Sequence, residues 1–114
     1  MEVVGIDQMK TAYIECAIWS SEPDGEDWGD LEVAPETLER FASDCAEFLA
    51  ANGDAVGGGS SQAGYDFWLT RNGHGAGFWD GDWPEPQAST LTDAARAFGV
   101  CELYVGDDGK IYAT

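Results

Sequence analysis

Ten carboxylates fall between residues 22 and 47: Glu22, Asp24, Glu26, Asp27, Asp30 and Glu32, followed by Glu36, Glu39, Asp44 and Glu47. Two chemistries suit such a set. Hard oxygen donors on a turn-rich segment can ligate calcium, but a helix-loop-helix calcium loop needs Asp-x-Asp-x-Asp-Gly and a Glu at its twelfth position. Counting from Asp24, Pro35 occupies that position and the glycine comes too early. Asp107-Asp108-Gly109 is equally incomplete and has the composition of a hairpin turn. The other chemistry is imitation of a phosphate row. Duplex DNA carries about one negative charge per 1.7 Å of axis, and a helix would spread Glu36 to Glu47 over roughly 16 Å. A groove lined with Lys and Arg would meet that row with charge-assisted hydrogen bonds in place of phosphate contacts.

Other reactive side chains are sparse. His74 is the only histidine, and a general-base role would need Asp66 or Asp80 to orient it. No nucleophile signature, phosphate-cradling loop or second metal ligand accompanies it. Paired carboxylates of the glycosidase type arise by chance in any chain this acidic. Cys16, Cys45 and Cys101 are an odd number with no C-x-x-C spacing, which predicts buried thiols rather than disulfides or a zinc site. No catalytic residue, metal or cofactor is therefore expected.

The elements that must position these groups are marked by periodicity. Met9, Ala12, Tyr13 and Cys16 predict a helix over 9–20. A turn-rich acidic loop follows, with Trp28 as its one large apolar residue and its expected anchor. Pro35 at the first helical position and the stripe Leu38, Phe41, Cys45, Phe48 and Leu49 predict a second helix, stopping near Asn52-Gly53. Gly57-Gly58-Gly59-Ser60-Ser61 has the composition of a flexible loop. The aromatic runs 65–70 and 76–80 flank Asn72-Gly73-His74-Gly75 and predict a hairpin. Alternation would turn half of Phe67, Trp68, Phe78 and Trp79, with Trp83, to the core and leave the rest for a partner. Thr90-Leu91-Thr92-Asp93 resembles a capping box opening a helix that ends at Gly99, and 101–105 with 110–113 bracket a second hairpin. The expected fold is a single α+β domain over 1–114, a four-stranded antiparallel sheet of two hairpins against two to three helices, in the order α-α-β-β-α-β-β.

The segments Asp66-Phe67-Trp68-Leu69-Thr70-Arg71-Asn72-Gly73-His74-Gly75-Ala76-Gly77-Phe78-Trp79-Asp80 and Leu103-Tyr104-Val105-Gly106-Asp107-Asp108-Gly109-Lys110-Ile111-Tyr112 resemble a family of small acidic proteins encoded by phages and mobile elements. The likeness extends to 34–38 and to 44–49. No activity or catalytic residue comes with it, but it implies a viral or mobile-element setting.

In that setting the charge becomes informative. Among 114 residues, 22 Asp and Glu face five Lys and Arg, for a formal net charge of −17. Like charge excludes nucleic acid and anionic membrane as direct partners, and a basic nucleic-acid-binding protein is the complementary one. The expected function is a non-enzymatic acidic mimic of nucleic acid. It would block a host defence or repair enzyme in the manner of anti-CRISPR or anti-restriction proteins, through the ten carboxylates above. A homodimer would double the length of the strip. The alternative is a phage assembly or interaction module whose aromatic hairpin is the interface. A chain start lacking a signal-peptide pattern, and the absence of a membrane-length apolar run, predict the bacterial host cytoplasm.

Overall fold

The computed structural model describes residues 5–74 and 76–114; residues 1–4, used above for the chain start, and residue 75, in the expected hairpin turn, lie outside them. Among the described residues four helices precede one small sheet: α1 (Ile6–Ser21), α2 (Pro35–Val56), α3 (Ser60–Arg71), α4 (Gln87–Arg96), β1 (Leu103–Val105) and β2 (Ile111–Ala113). The four-stranded sheet and the order α-α-β-β-α-β-β are thereby corrected. The hairpin expected over 65–80 is replaced by helix α3 and an irregular segment after it.

The physical reason lies in which period the buried residues follow. Ser60, Ala63, Gly64, Asp66, Phe67, Trp68, Thr70 and Arg71 are buried; they recur at spacings of three and four with consecutive members, the pattern of a helix enclosed on most of its circumference and not the alternation of a strand. Tyr65, Phe67, Trp68 and Thr70 favour strands only as single residues. Tertiary packing outweighs that preference, because α3 runs through the centre of the molecule against α1, α2 and α4. Gly64 sets the closest approach. A Cβ there would lie 2.4 Å from the Met9 carbonyl oxygen and 2.9 Å from the Tyr13 nitrogen, so the α1 and α3 backbones touch where the side chain is missing.

Helix α2 begins at Pro35 as expected but runs through Asn52-Gly53 to Val56. A glycine inside a helix costs about 1 kcal/mol relative to alanine. Continuing the helix carries Val56 into the core at 3% exposure, and the Asn52 side-chain amide donates to the Phe48 carbonyl at 2.9 Å. The following glycine segment is a tight joint, not a flexible loop: Gly59 N–H donates to Val56 O at 3.1 Å, and Ser60 and Ser61 already belong to α3. Helix α4 starts three residues before the expected capping box. Glu85 serves its N-terminus by accepting the Ser89 N–H at 2.8 Å.

One core joins all four helices. Phe48 stacks on Phe67 with centroids 4.4 Å apart and on Phe78 at 5.7 Å, while Tyr13 meets Phe41 and Trp68 edge-on. The C-terminal hairpin is present. β1 and β2 pair antiparallel with Tyr104 opposite Tyr112, and the turn is closed by Gly106 N–H to Lys110 O at 2.8 Å, with Gly109 at φ 80°. This ribbon docks beside the start of α2. Ala34 N–H donates to Ile111 O and Ile111 N–H to Glu32 O, at 3.0 and 2.9 Å.

Candidate acidic interface

The segment between α1 and α2 holds its shape through a few local bonds. Trp28 is 7% exposed and pins the acidic loop to the body; its backbone N–H donates to Glu22 Oε2 at 3.0 Å, which turns that carboxylate toward the protein. Asp27 Oδ1 accepts the Gly29 N–H at 2.8 Å, and Gly25 takes φ 84° in the turn. Asp24, Glu26, Asp27 and Asp30 remain exposed. Glu32 pairs with Lys110 at 3.3 Å, an exposed pair of small energetic value.

On α2 the structure separates the expected residues. Glu36, Glu39 and Glu47 are exposed. Asp44 instead serves the interior, accepting from the buried Arg71 guanidinium at 2.9 Å, with Arg40 at 3.9 Å on its other side. At about 100° per residue, Glu36, Glu39 and Glu47 fall within about 80° of arc, and Asp44 sits about 60° beyond Glu47, where Arg71 of α3 engages it. Asp54 is exposed and lies in the same arc, five turns from Glu36. A helix stopping near Asn52-Gly53, as expected from the sequence, excludes it. The buried position of Val56, two residues further on, is the signal that extends the helix and admits Asp54 to the row. The stripe Glu36, Glu39, Glu47 and Asp54 spans about 27 Å at the usual helical rise.

Cations do little to neutralise it. Among the described residues the ion pairs are Lys10 with Asp7, Arg40 and Arg71 with Asp44, and Lys110 with Glu32. Of the ten expected interface residues, only Asp44 and Glu32 therefore have an internal cation partner. The Arg40 guanidinium also donates to the Thr114 carbonyl oxygen.

The other candidate chemistries are not assembled. Asp66 is 2% exposed and accepts from Trp83 Nε1 at 2.7 Å and from Gln62 Nε2 at 3.0 Å, and Asp80 accepts the Gly77 N–H at 3.3 Å. Among the described residues neither bonds to His74, which is exposed. All three cysteines are free and buried. Burial pushes the thiols of Cys16 and Cys45 up, to about 11 and about 12, and raises that of Cys101, so none is a ready thiolate. Among the described residues no group of three or more His, Cys, Asp or Glu side chains is arranged to hold a metal ion, and no helix is long and apolar enough to cross a membrane. Phe67, Trp68 and Phe78 are core residues, whereas Trp79 stays 47% exposed. No family model, curated protein or solved structure matches the chain. Fold and site thus define a small helical protein with an acidic loop and an acidic helix face.

Proposed function

We propose that this protein is a non-enzymatic inhibitor that mimics nucleic acid, occupying the DNA- or RNA-binding site of a basic host defence or repair enzyme in a phage-infected bacterial cytoplasm. The observation that carries it is the row Glu36, Glu39, Glu47 and Asp54 on α2, exposed and without a cation partner among the described residues. With Asp24, Glu26, Asp27 and Asp30 of the loop before it, the row offers fixed negative charges along a rigid rod, as a nucleic-acid backbone does. A helix anchored by a buried face holds that backbone spacing in advance, so binding costs mainly the rotamer freedom of the side chains. Asp44, Glu22 and Glu32 are left out of the contact set because each is engaged with its own chain.

The experiment is capture from bacterial lysate with the wild-type protein and with the variant Glu36→Gln/Glu39→Gln/Glu47→Gln/Asp54→Asn, followed by competition with duplex DNA. Retention of a nucleic-acid enzyme by the wild type alone, reversed by DNA and inhibited in its own assay, supports the proposal. Equal retention and equal inhibition by the neutralised variant would sink it.

A further inference from the structure

A groove of about 500 Å³ runs between the loop at 79–85 and α4 and shares no residue with the acidic loop or the α2 stripe. Its volume is that of a small-molecule or side-chain site. Trp79 and Trp83 line it together with Glu85, Asp93 and Arg96. The Trp83 ring is fixed from several sides. Its Nε1 donates to the buried Asp66 at 2.7 Å, Phe78 meets it edge-on at 5.4 Å, and Gly59 backs it so closely that a Cβ there would lie 2.9 Å from the ring. Trp79 leaves 47% of its surface open beside this fixed platform.

The charges in the groove select the ligand. Both oxygens of Glu85 accept from Ser89, and those hydrogen bonds hold its carboxyl below the usual range. Asp93 is exposed, and the exposed Asp80 and Asp82 belong to the same loop as Trp79, next to the groove lining. Arg96 is the one cation among the groove-lining residues. Aromatic faces rimmed by carboxylates attract a desolvated cation and repel anions. A guanidinium fits better than an ammonium, because it stacks flat on an indole while its forked N–H groups reach carboxylates.

We propose that this groove receives an arginine side chain of the basic protein partner, stacked on Trp79 between the Glu85 and Asp93 carboxylates. The inference rests on the proposed function for the partner's basic character, and it adds an aromatic contact that a nucleic-acid mimic built from carboxylates alone would lack.

The test uses a single amino acid, so no enzyme needs to be known. Nα-acetyl-arginine N-methylamide is titrated into the ¹⁵N-labelled protein at about 0.15 M salt, with the neutral citrulline analogue as control, and the indole N–H signals are followed. The Trp79 signal should move saturably with the arginine probe and stay still with citrulline. Trp79→Ala and Asp93→Asn should each weaken binding, the former about fivefold, with the remaining amide spectrum unchanged. Arg96→Gln removes a like charge and should tighten binding about twofold or more. A stationary Trp79 signal, an equal response to citrulline, or weaker binding by Arg96→Gln would each overturn the inference. Any of these leaves the α2 row untouched, whereas equal capture by the α2-neutralised variant with arginine binding intact would sink the proposed function and spare the groove.

Discussion

The Arg71 guanidinium, 4% exposed, joins three parts of the chain: Nε donates to Gly99 O at 2.8 Å, one terminal nitrogen to Tyr13 and Asp44 at 2.9 Å each, and the other to Phe98 O at 3.1 Å. The Phe67 and Phe98 rings flank it, each 5.6 Å away. Arg71→Met should therefore cost about 3–5 kcal/mol, since it leaves Asp44 with only the more distant Arg40 and takes the donor from the Tyr13 hydroxyl and the Phe98 and Gly99 carbonyls. Arg71→Lys should recover little of this, because an ammonium cannot reproduce the fork; urea denaturation of both variants checks the pair. Asp66 behaves in the opposite sense. Burial raises its pKa above the ordinary 3.8, against the lowering effect of the Trp83 and Gln62 hydrogen bonds. A carboxyl with a raised folded pKa contributes full stability below its unfolded value and loses it as pH rises through the folded one. Asp66→Asn keeps an acceptor for Trp83 and Gln62, so it should be more stable than wild type at pH 7. That advantage should shrink on acidification toward the ordinary carboxyl pKa, as melting curves across that range would show.

Helices α1 and α3 and the length of α2 make contrasting demands on two glycines. Gly64→Ala forces a Cβ against the Met9 carbonyl oxygen and should destabilise by about 1–3 kcal/mol. Gly53 lies inside α2 with nothing within 4 Å of a Cβ, so Gly53→Ala should stabilise by about 0.5–1 kcal/mol. Thermal melts of the two variants should move in opposite directions. The same two positions explain what could be read along the chain. The α2 stripe Phe41, Cys45, Phe48 and Leu49 was legible because these buried residues are apolar; Leu38, expected with them, is 41% exposed, and the neighbouring Thr37 is buried instead, donating to the Ile111 carbonyl oxygen. The α3 stripe was not, because Ser60, Gly64 and Arg71 fill helix-face positions that apolar periodicity does not register. Gly64 is buried to allow close approach, and Arg71 to satisfy backbone carbonyls and Asp44.

At the scale of the whole molecule the net charge of −17 acts on folding and on association with opposite signs. Self-repulsion among unpaired carboxylates opposes the compact state, and salt screens it over a Debye length of about 8 Å at physiological ionic strength. Raising sodium chloride from about 0.02 to 0.5 M should therefore raise the melting temperature by several degrees, while capture of a basic partner weakens over the same range. A calorimetric scan and a salt-stepped elution measure the two trends on one preparation.

Composition and local order were enough to establish the acidity, the exposed loop anchored by Trp28, the start of α2 and the C-terminal ribbon, whose Gly-Asp-Asp-Gly turn closes on itself with Asp108 accepting from the Lys110 N–H and the Tyr112 hydroxyl. Each depends on residues within a few positions of one another. The helical state of 60–71, the passage of α2 through Gly53, the removal of Asp44 from the surface and the addition of Asp54 to the acidic row needed contacts between distant segments. A single residue's strand preference amounts to a fraction of a kcal/mol, whereas burying a face that includes Phe67 and Trp68 contributes several.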